Sequence, residues 1–564
     1  MFITRFNTGL RYASHRSHRG SRGAAAKDML LSSVPETRST LSHVPSRDEK
    51  CPFVPTFESI IQTRRKQAAK SLVVQVKSKY SAEELFLTCQ SSLGPVDSLH
   101  FFSRADSKEL SNFYIVEFQE ESSIEKALYS KEGVQFFDYS RKEVDTFIPV
   151  RSPFTWLFGG GAKETERDSK SSNTIPNYIP VTFPLERPSV TELPSFLSDI
   201  TSLELQILEF ERLSNMLDIS SRIRFLTCRQ LELCLSGLFG TFVSILPFGS
   251  SVNSFGSCDS DLDMVINFSS LEKNDDSASQ LYFHVKGGFG QRNMSQMYIR
   301  ILANLLQDIV PGIRNVQSIS NARVPILKYH HQLLNLECDL SASSLSGVFM
   351  SELLYLYGEM DSRVRPLVLV IRRWAKEYGL VTNTRPTKMF TNFTITLLVI
   401  FFLQHNHKIL PSVDCLRELG DPKELKICSD GVKRDFLTDI SGYQSYLNSQ
   451  YSLNEDKPSL EALLKDFFDF YGDFDFKGAT ICINSGKIRG PGKDRLNIIN
   501  PLEPHLNVSA NVSLNSISSF QLYCKRTLAL INANPCFNSL FRGRVSRNLN
   551  DLFQTMDSNK KSRK

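Results

Sequence analysis

The run Phe248-Gly249-Ser250-Ser251, followed shortly by Ser260-Asp261-Leu262-Asp263 at the head of the apolar stretch Met264-Val265-Ile266, constrains this chain more than any other feature. A Gly-Ser turn exposes backbone N–H groups and hydroxyls, a cradle suited to phosphate. Two carboxylates spaced i, i+2 on a strand leave from the same face and can share a divalent metal ion. Asp259 falls on the same alternation, but it follows Gly256-Ser257-Cys258 ahead of the apolar run and reads as a loop residue. Such chemistry needs a third carboxylate on a neighbouring strand. Leu336-Glu337-Cys338-Asp339-Leu340 supplies Asp339, after the strand-like Arg323-Val324-Pro325-Ile326-Leu327-Lys328, with Glu337 as the alternative ligand on the same face. An acidic triplet alone usually ends a solvated strand. Joined to the upstream Gly-Ser and the downstream Glu-Cys-Asp-Leu-Ser, it fits in-line displacement at phosphorus. There, one Mg²⁺ activates the attacking hydroxyl and another, about 4 Å away, steadies the leaving pyrophosphate.

Composition sets outer limits. The 564 residues allow several domains, and a net charge of +6 from 66 basic and 60 acidic residues permits a nucleic-acid partner without indicating one. The 11 cysteines include no C-x-x-C pair and no cluster at zinc spacing, so they read as reduced thiols. The longest apolar run, residues 393–403, falls short of the roughly 20 residues of a membrane span and contains Thr394 and Thr396, which makes it a core helix. No membrane partner is expected. Arg5, Arg11, Arg16, Arg19, Arg22 and Lys27 all precede the first carboxylate, Asp28, among serines and small residues. This is the composition of a mitochondrial transit peptide, so residues 1–50 read as transit peptide and linker; the competing reading is a basic arm that touches RNA.

Residues 65–150 read as a ferredoxin-like βαββαβ module, with strands at 71–76, 96–102, 112–118 and 144–150 and helices at 81–90 and 122–129. Phe113-Tyr114-Ile115-Val116-Glu117-Phe118 lies where RNA-recognition modules stack bases, although the K/R-G-F signature is absent. An exposed sheet carrying these aromatics serves equally well as a dimer face. Gly159-Gly160-Gly161 and the Ser-rich stretch after it make 151–195 a linker. Leu203, Ile207 and Phe210, then Ile223, Leu226, Leu231, Leu235 and Leu238, recur at helical spacing and lead into the Gly-Ser strand. The expected fold is α+β: a palm sheet within 196–350, facing a helical domain within 351–540, with a basic tail over 541–564.

Pro247-Phe248-Gly249-Ser250-Ser251-Val252-Asn253, Ser260-Asp261-Leu262-Asp263, Ala322-Arg323-Val324-Pro325-Ile326 and Cys338-Asp339-Leu340-Ser341 resemble the polymerase-β-type terminal nucleotidyltransferases, the template-independent poly(A) and poly(U) polymerases. Arg372-Arg373-Trp374-Ala375-Lys376 and residues 500–508 extend the likeness, so it covers roughly residues 200–530. Within the group the chain is most similar to the animal mitochondrial poly(A) polymerases.

The resemblance implies a polymerase-β-like palm with Asp261, Asp263 and Asp339 as catalytic metal ligands for Mg²⁺, or Mn²⁺ in its stead. It also implies that AMP passes from ATP to RNA 3′ ends in the mitochondrial matrix, and that the N-terminal module supports a homodimer. Gly249, Ser250 and Ser251 would cradle phosphate. Arg372 and Lys376 would hold the β- and γ-phosphates, Arg372 standing where family members usually carry Lys. Phe393 would stack the base beside Asn392, while Glu503, Leu506 and Asn507 would read it. Uridylyl enzymes of the family carry His where this chain has Leu506, and an aliphatic residue leaves room for adenine. Met350 and Ser344 replace frequent asparagines, which shifts ribose recognition towards Ser351. The alternatives are a uridylyl or mixed-nucleotide transferase and a catalytically silent RNA-binding scaffold.

Overall fold

The computed structural model describes residues 54–541 apart from 106–109, 130–151, 155, 158–174, 185–186, 189–191, 240–242, 269–290, 323, 343, 382–387, 429–430 and 444–457. The basic N-terminal segment, the 144–150 strand, the Gly-rich linker and the C-terminal tail expected from sequence lie outside the described residues.

The first module opens with α1 (Phe57–Ala69), which leads into β1 (Ser71–Val76), α2 (Ala82–Ser92), β2 (Val96–Ala105), β3 (Leu110–Phe118) and α3 (Glu121–Tyr129). Two short edge strands, β4 (Trp156–Leu157) and β5 (Val181–Thr182), complete a sheet of order β4-β1-β3-β2-β5. Its central order is ferredoxin-like, but β4 pairs with β1 in parallel rather than antiparallel fashion.

Both faces of this sheet are covered, which corrects the expectation of an exposed aromatic surface. Tyr114, Val116 and Phe118 pack beneath α2 and α3. Val73, Phe102, Phe113 and Ile115 pack against Phe225 and Leu226 from the helix α6 (Asp218–Phe239). The period of two along β3 therefore sends alternate residues into two different cores, and leaves no ring of the 113–118 segment free to stack a base. α1, a helix the sequence reading had not marked, ties this side down through Arg64 to Asp218 (2.5 Å) and Arg65 to Glu232 (2.8 Å).

The palm sheet consists of β6 (Val243–Phe248), β7 (Leu262–Phe268), β8 (Ile313–Ile319), β9 (Ile326–His331) and β10 (Leu336–Ser341), in the order β6-β7-β10-β9-β8. Helix α7 (Gln291–Ile309) crosses between β7 and β8. Leu262, Met264 and Ile266, Leu327 and Tyr329, and Cys338 and Leu340 all face one core with Leu231 and Leu235 of α6 and Ile299, Leu302 and Leu306 of α7. Strand alternation then commits their neighbours Asp263, Lys328, Glu337 and Asp339 to the opposite face.

The helical part comprises α8 (Ser346–Met360), α9 (Val364–Glu377), α10 (Asn392–His405), α11 (Val413–Glu418), α12 (Leu460–Gly472) and α13 (Leu514–Ala533), together with a small sheet centred on Thr480–Cys482. Two helices precede the palm, α4 (Leu193–Ser198) and α5 (Leu203–Ser214). Leu203, Ile207 and Phe210 of α5 pack into the helical core rather than the palm core. Trp374, fully buried on the apolar stripe of α9, touches the rings of Tyr378, Phe468 and Phe520, and donates from Nε1 to Thr527 Oγ1 at 2.9 Å. Trp374→Ala is expected to destabilise the protein by about 3–5 kcal/mol, read as a fall in the urea midpoint. A loss below about 1 kcal/mol would mean that the core does not converge on this ring.

Candidate active site

The carboxylates are positioned by register. β7 and β10 are parallel neighbours in which Asp339 is the direct partner of Asp263, and Asp261 stands one residue before β7 begins. β6 pairs with β7 on the other side, Phe248 opposite Asp263, so the Gly249–Ser251 turn emerges beside that carboxylate. Gly249 has φ +69, and a Cβ there would lie 2.6 Å from Asp263 Oδ2. Only glycine allows both the left-handed backbone and this close approach. Glu337, the alternative third ligand, is turned towards the rim, where its carboxylate meets His330 at 3.0 Å.

Crowding of like charge shapes the electrostatics. Burial, then repulsion from Asp339 and Asp261, pushes the Asp263 carboxyl up to about 7, against the opposing pull of Lys328. Asp261 is raised by burial and by Asp339, with Lys328 and the Arg224 guanidinium acting in the opposite direction. Lys328 Nζ lies 2.5 and 2.7 Å from the two oxygens of Asp339, because β9 pairs Lys328 directly with it. Among the described residues no three Asp, Glu, His or Cys side chains form a preformed metal cage. The donor set nevertheless fits a hard divalent cation. It offers carboxylate oxygens from adjacent strands, one of them raised to about 7 by burial and then by the repulsion of its neighbours, a penalty that a bound cation relieves.

Asp261 and Asp263 line a cleft of about 670 Å³ between palm and helices, whereas Asp339, both of whose oxygens meet Lys328, is not among the residues bordering it. Gly249, Ser250, Asp261, Asp263, Ser351, Arg372, Lys376, Asn392 and Phe393 all border it. Asn392 and Phe393 form the first turn of α10, which is capped by Thr391 Oγ1 accepting from Thr394 N at 3.1 Å, so the helix N-terminus opens into the cleft. Arg372 donates to the Phe255 carbonyl at 2.7 Å, and burial lowers its pKa to about 10, which leaves it cationic.

Ser251 and Ser351 turn inward. Ser251 Oγ donates to the Asp261 carbonyl at 3.2 Å, while Ser351 Oγ accepts from Gly249 N and donates to Gly347 O, each at 2.7 Å. Their hydroxyls fix the turn and the aspartate loop to each other and to α8, which leaves Ser351 little to offer a ribose.

Glu503, Leu506 and Asn507 are not among the residues bordering the cleft. Asn507 braces its own loop, accepting from Ile498 N and Ser509 N at 3.0 Å and donating to Leu496 O at 2.7 Å and Asp494 Oδ2 at 2.9 Å. Leu506 N donates to Glu503 O at 2.9 Å within the same turn.

The cleft also holds residues that carry no site role in the sequence reading. Arg187, at the end of the expected linker, reaches the Asn215 carbonyl at 2.7 Å, and Arg373 follows Arg372 along the wall. Asp259 and Met350 line it as well. Arg373 stands in a motif already quoted, whereas Arg187 carries no periodic signal.

A palm sheet presenting paired aspartates beside a Gly-Ser turn, across a cleft from helical cations, defines a nucleotidyltransferase of the polymerase-β type. The family description "Poly(A) RNA polymerase, mitochondrial-like, central palm domain" matches residues 203–359. The mitochondrial poly(A) RNA polymerase of Drosophila melanogaster is 36% identical over 480 residues, covering 83% of this chain and 74% of that protein. The human protein of the same name is 32% identical over 470 residues, covering 82% and 75%. A crystal structure of mtPAP in complex with GTP superposes with a TM-score of 0.71 at 28% identity, over 85% of this chain and 95% of the other. The chain belongs to the mitochondrial poly(A) RNA polymerases. It is a mitochondrial polynucleotide adenylyltransferase, acting on RNA with ATP, in a family that works with divalent metal.

Proposed function

We propose that Asp261, Asp263 and Asp339 are the metal ligands for transfer of AMP from ATP to the 3′ end of RNA in the matrix, with Mg²⁺ as the ion and Mn²⁺ as its substitute. The observation that carries this reading is the register pairing of Asp263 with Asp339 on parallel neighbouring strands, beside a turn that only glycine can make. The bound ions supply charge neutralisation at the attacking and leaving oxygens. The chain's own residues do the rest. Ser250 and the backbone of the turn receive phosphate oxygens, Arg372 and Lys376 draw the outer phosphates to the helical wall, and Phe393 with Asn392 frames the base. Arg373 adds a third cation on that wall. Purified protein, an oligoribonucleotide, Mg²⁺ and each nucleoside triphosphate separately test the reading; extension with ATP well ahead of UTP is expected, and a preference for UTP would make this a uridylyltransferase.

Base selection through Leu506, with Glu503 and Asn507, belongs to the same proposal and meets a sharper test because the loop stands back from the cleft. Leu506→His is expected to narrow the ATP-to-UTP ratio of kcat/KM by about tenfold or more, since pocket differences of this kind are worth roughly 1–3 kcal/mol. Equal losses for both nucleotides would assign Leu506 to packing.

The homodimer is likewise proposed, through the outer side of the first module rather than its sheet faces. Tyr80, Leu87, Tyr178 and Phe183 are exposed there, and Tyr178 bridges to Glu83 of α2 at 2.7 Å. Leu87→Glu is expected to halve the sedimenting mass; an unchanged mass places the pairing surface elsewhere.

A further inference from the structure

Asp261 sits outside the strand ladder: pairing of β7 with β10 begins at Leu262, so the main chain that aims this carboxylate belongs to the loop ahead of the strand. We propose that Arg224, on α6, is a positioning residue for the transfer reaction, fixing that loop and with it Asp261. The inference rests on the assignment of Asp261 as a metal ligand and names a group that never meets the substrate.

Arg224 is only 2% exposed. Its Nη2 donates to the Cys258 carbonyl at 3.1 Å and to the Ser260 carbonyl in a shorter bond, while Nη1 donates to Ser220 O of its own helix at 3.1 Å. A buried guanidinium is an expensive way to satisfy carbonyls, unless its rigid fork must tie the loop, held on Nη2, to the helix, held on Nη1, at a set distance. The carbonyls it takes are those of the residues flanking Asp259, and the second adjoins Asp261 directly. On its other side the loop is held by Ser251 Oγ, which donates to the Asp261 carbonyl, and within itself by Ser257 N donating to Ser260 Oγ at 3.0 Å. The Arg224 charge also favours the ionised form of Asp261, against burial and the repulsion of Asp339.

α6 is a firm mount for this fork. Arg222 reaches Glu117 of the first module at 2.5 Å, and Phe225 and Leu226 lie under that module's sheet. Leu231 and Leu235 enter the palm core from the same helix. One helix thus carries the rigidity of two sheets to the loop ahead of a catalytic carboxylate.

Arg224→Lys keeps the buried charge but has one nitrogen on a shorter reach, so it cannot stay anchored on the Ser220 carbonyl while holding both loop carbonyls, and Arg224→Met removes charge and donors together. In Arg224→Lys, kcat on an oligoribonucleotide is expected to fall about ten- to hundredfold, the range seen when groups orienting metal ligands are lost. The Mg²⁺ concentration for half-maximal rate should rise, KM for ATP should stay within about twofold, and the rise in Tm that Mg²⁺ gives the nucleotide-free protein should shrink. Arg224→Met should lose more on every readout except KM. A parental kcat, Mg²⁺ curve and Mg²⁺-induced Tm shift in folded Arg224→Lys protein would overturn the proposal. So would a loss fully matched by the unfolded fraction in circular dichroism. Asp261→Asn run in parallel separates the two layers: activity retained there sinks the ligand assignment, whereas an inactive Asp261→Asn beside a parental Arg224→Lys sinks Arg224 alone.

Discussion

Asp263→Asn is expected to abolish RNA extension while making the metal-free protein more stable. Catalysis loses a ligand from a site whose charge neutralisation is worth several kcal/mol, so kcat should fall by about 10³-fold or more. Stability moves the other way because burial, and then the repulsion of Asp339 and Asp261, raises the Asp263 pKa from the ordinary 3.8 to about 7. A raised acid binds more protons folded than unfolded, and so stability decreases as pH rises through the interval between the two values. Without metal, the parent protein should therefore lose stability between about pH 4 and pH 7, by an amount on the order of a few kcal/mol. The asparagine cannot ionise, so this contribution should be missing from the variant's pH profile, while those of other groups such as Asp261 and His331 remain. Chemical denaturation in chelator at pH 5 and pH 7.5 measures the difference, and an oligoribonucleotide extension assay measures the activity. Parallel pH profiles for parent and variant would remove the account of burial and repulsion at Asp263, and retained extension would remove Asp263 from the ligand set.

The part of this site readable in the chain is the part that a strand's period of two controls. Asp261-Leu262-Asp263-Met264 and Glu337-Cys338-Asp339-Leu340 each alternate polar and apolar residues, and the apolar members found a common core under the sheet. Lys328 alternates between Leu327 and Tyr329 in the same way, but its meeting with Asp339 depends on which strand lies next to β10, which no local pattern states. Helical periodicity likewise gave the buried stripe of α9 and the core helix α10.

What escaped the sequence depends on distant partners. Phe113 and Tyr114 are aromatic on an RNA-recognition-like strand, yet their burial comes from α6, far along the chain, and from α2 and α3. Ser351 is a residue of the right type at a matching position, and the Gly249 N–H and Gly347 carbonyl that occupy its hydroxyl make it a brace for the backbone. Arg187 and Arg224 look like any surface arginine until the loop from Cys258 to Ser260 folds against them. A residue type shows what a group can do; burial and partners show what remains for it to do.

Gly249→Ala is the second large effect expected, and it isolates the closeness of the phosphate turn to the metal ligands. A methyl group at this position meets two penalties. The left-handed backbone, φ +69, costs an L-residue roughly 1–2 kcal/mol. The new Cβ would also stand 2.6 Å from Asp263 Oδ2, too close for either group to stay where it is. Gly379 provides an internal control, since its φ is +65 and a Cβ there meets nothing within 4 Å. Gly379→Ala should therefore carry the backbone strain alone: a modest fall in Tm with kcat close to the parent. Gly249→Ala should lose more stability than this and should lose activity by about a hundredfold or more, because a misplacement of about 1 Å at a reacting centre costs that much. The excess loss of kcat in Gly249→Ala over Gly379→Ala then reports the displacement of Asp263, free of the strain common to both. If the two variants lose activity equally, the turn tolerates a methyl group beside the carboxylate, and its glycine is there for backbone conformation alone.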